Sequence, residues 1–182
     1  MEYKNTLNLP KTDFQMKGNL PEKEPLILEK WEKADIYKLI REKKKGRPKY
    51  ILHDGPPYAN GNIHIGHALN KTLKDIVVKF KTMQGFDAPY VPGWDCHGMP
   101  IEHQLFKEIN KTKHDMEQLE FRKMAHEFAM KFVRIQKNEF ERLGVFGDWD
   151  NPYLTLAPEY EKAVVEGFNK LAKGGFIYRG LK

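Results

Sequence analysis

Serine is absent from this sequence, and cysteine occurs only once, as Cys96. The first absence excludes every mechanism that uses a serine nucleophile. The second excludes an internal disulfide and is typical of proteins in a reducing compartment. The chain also has no apolar stretch that approaches the length of a membrane span, and no apolar leader near Met1. We therefore expect a cytoplasmic protein with no membrane partner.

Several chemical signatures are missing as well. The sequence has no C-x-x-C or H-E-x-x-H spacing, no G-x-G-x-x-G and no Walker A lysine loop. Zinc binding, NAD binding and P-loop hydrolysis are therefore unsupported. Residues of metal-ligating type are present without a metal-binding spacing: His53, Asp54, His64, His67, Asp95, Cys96, His97 and His103. We expect no metal site, and no zinc, within these residues.

What the chain does contain is enough apolar sequence for one domain. It has 182 residues, of which 40% are hydrophobic and 31% charged, with a formal net charge of +6. This composition predicts a soluble, basic protein with a filled core. A basic balance is compatible with nucleotide or nucleic-acid partners without proving either.

One stretch organises the rest. A short apolar run, 50–52, predicts a buried strand, and the glycines and prolines after it predict a loop. Apolar residues then recur at helical spacing, which predicts a helix from Ile63 or His64 to about residue 84. Strand, loop and helix in this order aim backbone N–H groups and a helix dipole at an anion.

Two imidazoles lie on the first turn of that helix. His64 and His67 are three residues apart and therefore face the same way, and Gly66 between them leaves room for a flat ring to approach. Such donors can stabilise the charge that develops on a phosphoryl group. Taken alone, a histidine pair at this spacing is more often two ordinary surface or structural histidines. The flanking glycines, the double proline and the change from strand to helix favour the functional interpretation.

A second strand predicted at 86–91 completes a βαβ unit with a parallel pair and a right-handed crossover. Ligands in such sheets bind beyond the carboxyl ends of the strands, which places Gly55, Pro56 and Asp95 on one rim. Trp94 beside Asp95 could line a pocket, but filling the core is the favoured interpretation. Asp95 itself could be a turn-capping residue.

Helices and a final strand fill the remaining chain. We predict an extended arm over residues 1–20 and a helix over 21–42. A short helix over 99–109 is followed by a polar loop over 110–114. A long helix from 116 to about 143 has Asp115 as its N-cap and Leu119, Phe128 and Phe132 on its buried side. The last helix begins at Pro158, and a last strand begins at 176–178.

The residues 54–71, DGPPYANGNIHIGHALNK, contain the H-I-G-H string at 64–67 and resemble the class I aminoacyl-tRNA synthetases, the isoleucine enzymes in particular. The string 92–102, PGWDCHGMPIE, strengthens the resemblance, as do 11–14 and 143–145. H-x-G-H alone is shared with other nucleotidyltransferases, but the two long strings together are very specific. The resemblance covers nearly the whole chain.

The resemblance implies the fold, the activity and the site. The fold would be α/β, the first half of a Rossmann-like (HUP-type) parallel-sheet nucleotide-binding domain with an N-terminal helical arm and helical insertions. Residues 1–48 would form the arm and its helix. Residues 49–182 would form the first catalytic half, ending near the editing insertion. The activity would be ATP-dependent formation of isoleucyl-adenylate and transfer to tRNA(Ile) by a monomer.

Site residues also follow from the resemblance. His64 and His67 would be catalytic. Asp95 would bind the α-ammonium of L-isoleucine, above a floor formed by Gly55 and Pro56. ATP, arriving with Mg²⁺, would contact Pro57, Tyr58, Asn60, Gly61, His64, Gly66 and His67. Two alternatives stay open from the residues themselves: a small nucleotidyltransferase with an H-x-G-H motif, and a non-catalytic nucleotide-binding fragment.

Overall fold

A computed structural model describes residues 6–8, 13, 17–111 and 115–181. This part of the chain contains six helices and two short strands. In chain order they are α1 (Leu20–Lys33), α2 (Ile36–Lys44), α3 (Ile65–Met83), β1 (Gly93–Trp94), α4 (Met99–Ile109), α5 (Gln118–Arg142), β2 (Tyr153–Leu154) and α6 (Pro158–Lys173). The α/β class is confirmed, and most of the arm predicted over 1–20, like the loop residues 112–114, lies outside the described residues.

The sheet is small, and all of its pairing is parallel. β1 pairs with β2, with Gly93 opposite Tyr153 and Trp94 opposite Leu154. On the other side of β1, an isolated parallel bridge joins Tyr58 to Asp95. The segment 93–95 therefore lies between the loop that follows the first apolar run and β2. This arrangement is a partial Rossmann-like fold.

The two strands predicted before and after α3, at 50–52 and 86–91, are wrong, because neither segment forms a regular strand. Only one parallel bridge, between Lys49 and Asp87, joins the two segments. Tyr50 N donates to Asp87 O and Asp87 N donates to Pro48 O, at 3.0 and 2.9 Å. Pro89 then interrupts the pairing, because proline has no N–H to donate to a ladder. The β2 strand was not predicted at all.

The helix predicted over 21–42 is divided into α1 and α2. Asp35 adopts a left-handed conformation, with φ of 44°, which a helix interior cannot contain. The N-cap predicted at Asp115 is also wrong, because Glu117 caps α5 by accepting from Leu119 N and Glu120 N. Leu119 is exposed and not on the buried side.

The strand predicted from residue 176 is absent from the described chain, where 176–181 is irregular. An extended segment with no neighbouring strand has no partner for its backbone groups.

The helix at α4 has the predicted bounds, and α3 and α6 agree with prediction to within two residues. The predicted interpretation of Trp94 is confirmed, because its side chain is 1% exposed within the core.

The core lies between the sheet and α4 and α5. Its largest fully buried apolar side chains are Trp94, Tyr90, Phe140 and Ile101. The rings of Phe106 and Phe121 stack with their centroids 4.4 Å apart where α4 meets α5. These contacts fix α5 across one side of the loop that precedes α3. No helix in the described part of the chain is long and apolar enough to cross a membrane.

Candidate functional site

The site is built around the first turn of α3. His64 is the N-cap residue, in an extended conformation, and its Nδ1 accepts a hydrogen bond from Gly66 N at 3.1 Å. His67 Nδ1 accepts in return from His64 N, at 3.4 Å. The two rings stack, with centroids 3.9 Å apart and an angle of 19° between their planes. Sequence spacing predicted this pairing, but not that the imidazoles themselves cap the helix.

The capping arrangement determines where each imidazole carries its proton. A ring nitrogen that accepts a hydrogen bond carries no hydrogen, so both Nδ1 atoms are unprotonated. The neutral rings must therefore carry their hydrogen on Nε2. The pair thus presents two Nε2–H donors at the positive end of the helix dipole, which is a suitable arrangement for an anion.

The glycine between the two histidines has a definite steric role. A Cβ atom added at Gly66 would lie 2.9 Å from Cε1 and 3.0 Å from Nδ1 of His64. These distances are shorter than ordinary van der Waals contacts. Gly66 therefore provides the space in which the His64 ring caps the helix. Whether adenine also uses this space stays a prediction.

His67 is expected to stay neutral at pH 7. Partial burial, the neighbouring His64 and the Lys71 ammonium all lower the pKa of His67 below 6.5, against a smaller opposing effect of Glu139. The unfolded chain therefore binds more protons between the folded pKa and 6.5. The unfolding free energy should fall as pH decreases through that window.

We expect an NMR titration of the ring protons of His67 to give a midpoint below 6.5. The variant His67→Gln identifies the resonance. The variant Glu139→Gln should move the midpoint further down, because it removes the carboxylate that favours the charged ring. A midpoint at or above 6.5 would contradict this description of the pair.

Asp95 lies on the rim predicted from the sequence. Its backbone N donates to Pro57 O at 2.9 Å, and its carbonyl accepts from Ala59 N at 3.0 Å. These two bonds join the loop that begins at Gly55 and Pro56 to the end of β1. Asp95 Oδ1 accepts from His97 N and from Thr155 Oγ1, both at 3.4 Å. The structure thus brings Asp95 next to the loop as predicted, through direct backbone hydrogen bonds and not through two regular strands around α3.

A buried ion pair beneath this loop was missed by sequence reasoning. Asp54 Oδ2 accepts from Lys71 Nζ and, at 3.1 Å, from Gly93 N. Asp54 Oδ1 accepts from Lys74 Nζ at 2.7 Å, and Lys71 Nζ also donates to Tyr90 Oη at 2.9 Å. Asp54 and Lys71 are 1% and 2% exposed. The sequence carries one signal for the involvement of Lys71: it lies one helical turn after His67, on the same face of α3. Nothing in the sequence pattern indicates Asp54 as its partner.

The charge state of Asp54 follows from these contacts. Burial is the largest single effect and raises the pKa of the Asp54 carboxyl, but the Lys71 charge and the hydrogen bonds from Lys71, Lys74 and Tyr90 together outweigh it. The net pKa is lowered, so Asp54 is ionised. Asp54, directly before Gly55, thus joins α3 to β1: it forms ion pairs with Lys71 and Lys74 of α3 and accepts a hydrogen bond from Gly93 N of β1.

Tyr153, on β2, completes the support under the loop. Its Oη donates to the Asp54 carbonyl at 2.6 Å, and its ring stacks with His53 and with Tyr160. Burial, followed by the charge of Asp54, raises the pKa of Tyr153 to about 12, so the phenol remains a donor. Tyr153 was not predicted as part of the site.

The other residues of metal-ligating type do not gather into a cluster. In the described part of the chain, no group of three or more His, Cys, Asp or Glu side chains could hold a metal ion. Cys96 is buried, and burial, followed by the charge of Asp95, raises the pKa of its thiol to about 11. This thiol is therefore protonated and a poor nucleophile at neutral pH.

Comparisons with known proteins agree with the resemblance. A family model for class I tRNA synthetases (I, L, M and V) matches residues 26–182. The isoleucine–tRNA ligases of Natranaerobius thermophilus and Desulfitobacterium hafniense are 64% and 61% identical to the whole chain. That of Persephonella marina is 60% identical over 185 aligned residues. The chain spans 20% of the length of each of these relatives.

A solved structure shows the same fold. The Agrobacterium radiobacter LeuRS–tRNA–LeuAMS ternary complex matches with a TM-score of 0.69 and 22% identity. The match covers 90% of this chain and 19% of that protein. At this identity the likeness supports the fold alone.

Proposed function

The chain belongs to the class I tRNA synthetases, and from this premise we propose that it provides the N-terminal half of an isoleucine-activating site. The complete site would form isoleucyl-adenylate from L-isoleucine and ATP and then transfer the isoleucyl group to tRNA(Ile). The observation that carries the proposal is the stacked His64 and His67 pair at the start of α3, whose Nδ1 atoms both accept backbone hydrogen bonds. The identity of 60–64% to isoleucine–tRNA ligases supports the choice of isoleucine.

In the proposed reaction an isoleucine carboxylate oxygen attacks the α-phosphorus of ATP. A bond forms between that oxygen and phosphorus, and the bond to the β-phosphate oxygen breaks to release pyrophosphate. The substrate is ATP with its Mg²⁺. The imidazole Nε2–H groups of His64 and His67 would donate to phosphate oxygens as charge develops, which is electrostatic catalysis without a covalent enzyme intermediate.

The amino acid would lie at the other end of the loop. We propose that the Asp95 carboxylate binds its α-ammonium group and that the backbone of Gly55 and Pro56 forms the floor below it. The nucleotide would pass over the loop, near Pro57, Tyr58, Asn60 and Gly61. The two hydrogen bonds between Asp95 and the loop support this arrangement, because they hold Asp95 directly beside residues 57–59.

Two observations support the view that this is a half-site. The curated relatives are about five times as long as this chain. In addition, one side of α3 exposes a continuous apolar stripe that a folded protein of this size rarely leaves open. The stripe consists of Leu69, Leu73, Ile76 and Phe80, each at least half exposed.

Isoleucine-dependent exchange of labelled pyrophosphate into ATP tests this proposal. We expect very weak or no exchange by this chain alone, together with measurable binding of a non-hydrolysable isoleucyl-adenylate analogue. Exchange that depends instead on a phosphorylated small molecule would support the nucleotidyltransferase alternative. Failure to bind ATP or the analogue would overturn the proposal.

The variant His64→Asn separates helix capping from phosphate binding. Asparagine is among the best N-cap residues, so the thermal midpoint should change little. The variant lacks the imidazole donor, so affinity for the adenylate analogue should fall roughly tenfold or more, as for a lost hydrogen bond to a charged group. Calorimetric titration measures this affinity.

The matched control is His126→Asn, at an exposed position on α5. Its affinity for the analogue should equal that of the wild type. If His64→Asn retained wild-type affinity as well, His64 would have no part in binding the nucleotide.

A further inference from the structure

Helix α5 holds the loop before His64 through a fully buried amide. Gln136 Nε2 donates to Tyr58 O at 3.0 Å and to Gly61 O at 2.7 Å. Gln136 Oε1 accepts from the indole Nε1 of Trp94 at 3.0 Å. One 0%-exposed side chain therefore joins the loop to β1, directly beside Asp95.

The chemistry of these partners requires an amide. An indole N–H can only donate, and the two carbonyl oxygens can only accept. A glutamine satisfies all three, with its oxygen towards Trp94 and its NH₂ group towards the loop. An ionised glutamate would place an oxygen against two carbonyls, and a methionine would leave all three partners without their hydrogen bond.

Glu139 binds the same loop one helical turn further along α5. Its Oε1 accepts from Asn62 Nδ2 at 2.6 Å, and its Oε2 accepts from Ile63 N at 2.8 Å. Residues three apart share one face of a helix, so Gln136 and Glu139 act on the loop from the same side. Among the described residues, 61–63 make no hydrogen bond to another backbone group.

We propose that Gln136 and Glu139 are positioning residues that hold the loop 58–63 so that the histidine pair and Asp95 keep one fixed relation. Apart from the contacts from α5, the loop is held at its ends by the Tyr58 bridge to β1 and the cap of α3, and by hydrogen bonds from Ala59 N to Asp95 O and from Asn60 Nδ2 to Pro100 O. The contacts from α5 lie between these ends. The inference rests on the proposed function where it states that one end of the loop binds phosphates and the other end binds an amino acid.

Hydrogen exchange of the whole chain tests the geometric part without any ligand. In Gln136→Met we expect the amides of 63, 64 and 66, which donate hydrogen bonds at this end of the loop, to exchange at least about tenfold faster, because the loop opens locally. Amides in the centre of α5 should change much less. A purely structural core residue would instead accelerate all the slowest amides together, through global unfolding. The variant Glu139→Gln, at a half-buried position, should give a smaller effect of the same pattern.

The matched controls are Gln118→Met and Glu127→Gln, at exposed positions on the same helix. Both should retain the exchange rates of the wild type, and both should bind the isoleucyl-adenylate analogue as the wild type does. Gln136→Met should bind it at least about tenfold more weakly. The inference would be overturned if loop exchange were unchanged in both Gln136→Met and Glu139→Gln. It would also be overturned if loop exchange increased only together with global unfolding. A wild-type chain with a protected loop and no affinity for the analogue would contradict the proposed function alone.

Discussion

Replacing Asp54 with asparagine should lower the free energy of unfolding by about 3–5 kcal/mol, the usual cost of removing one partner of a buried ion pair. The Lys71 ammonium would stay buried without an anionic partner, with only the Tyr90 hydroxyl and a neutral amide beside it. This loss is a large fraction of the roughly 5–15 kcal/mol by which folded proteins are stable. Urea unfolding followed by circular dichroism measures it.

Two further variants distinguish the pair from the rest of the network. Lys71→Met should cost less than Asp54→Asn, because Lys74 still donates to the carboxylate. The double variant should recover part of the loss, since it removes both buried charges. The surface control is Asp150→Asn, which loses an ion pair between Lys137 and a 91%-exposed carboxylate and should cost less than about 1 kcal/mol. An Asp54→Asn chain as stable as this control would refute the prediction.

Acid unfolding gives an independent measure of the same carboxylate. The folded pKa of Asp54 is lowered from 3.8. The stability that Asp54 contributes is therefore present above pH 3.8 and is lost as pH falls through the folded pKa. The Asp54→Asn variant should lack this part of the pH dependence.

Replacing Gly93 with alanine should be the second large effect. A Cβ at this position would lie 2.0–2.5 Å from three ring carbons of Tyr153. That ring cannot move aside easily, because its hydroxyl donates to Asp54 O and the ring stacks with His53 and with Tyr160. Overpacking of this kind typically costs about 1–3 kcal/mol, occasionally more. Thermal and urea unfolding measure the loss.

A double-mutant cycle assigns the cost to the contact itself. If the clash with Tyr153 is the cause, Gly93→Ala combined with Tyr153→Ala should destabilise by clearly less than the sum of the two single variants. The control Gly167→Ala lies within α6, with no atom within 4 Å of the new Cβ. It should be stabilising by about 0.5–1 kcal/mol, as for alanine replacing glycine in a helix. Strict additivity at Gly93 and Tyr153 would show that another cause operates.

Local sequence pattern predicted the helices of the site well. The apolar spacing after Ile63 and the glycine after residue 84 placed α3 to within two residues, and the same reasoning placed α4 and α6. Helical periodicity and end signals depend on neighbouring residues only, so one sequence is sufficient to read them. The predicted proximity of Asp95 to the loop is confirmed by direct backbone hydrogen bonds and the parallel bridge from Tyr58 to Asp95, although the two strands on which the prediction rested do not form as regular strands.

Strand pairing was predicted less well. The apolar runs at 50–52 and 86–91 have the composition of strands, but the prolines at 89 and 92 limit the ladder, and β2 pairs where no periodic pattern is visible. A strand exists only where a partner supplies hydrogen bonds. That partner can lie anywhere in the chain, so a two-residue strand gives no local signal.

The sequence alone determined the family resemblance, the start of α3 and the imidazole pair on its first turn. Only the tertiary structure decided that Asp54 pairs with Lys71, that Tyr153 fills the space over Gly93, and that Gln136 joins the loop to Trp94. Asp54 and Lys71 are 17 positions apart in the sequence, and Gln136 is 78 positions from Tyr58. Tyr153 and Gly93 lie on different strands, β2 and β1. Side chains so distant in sequence meet only after the chain has folded, because packing and burial, not local periodicity, select their partners.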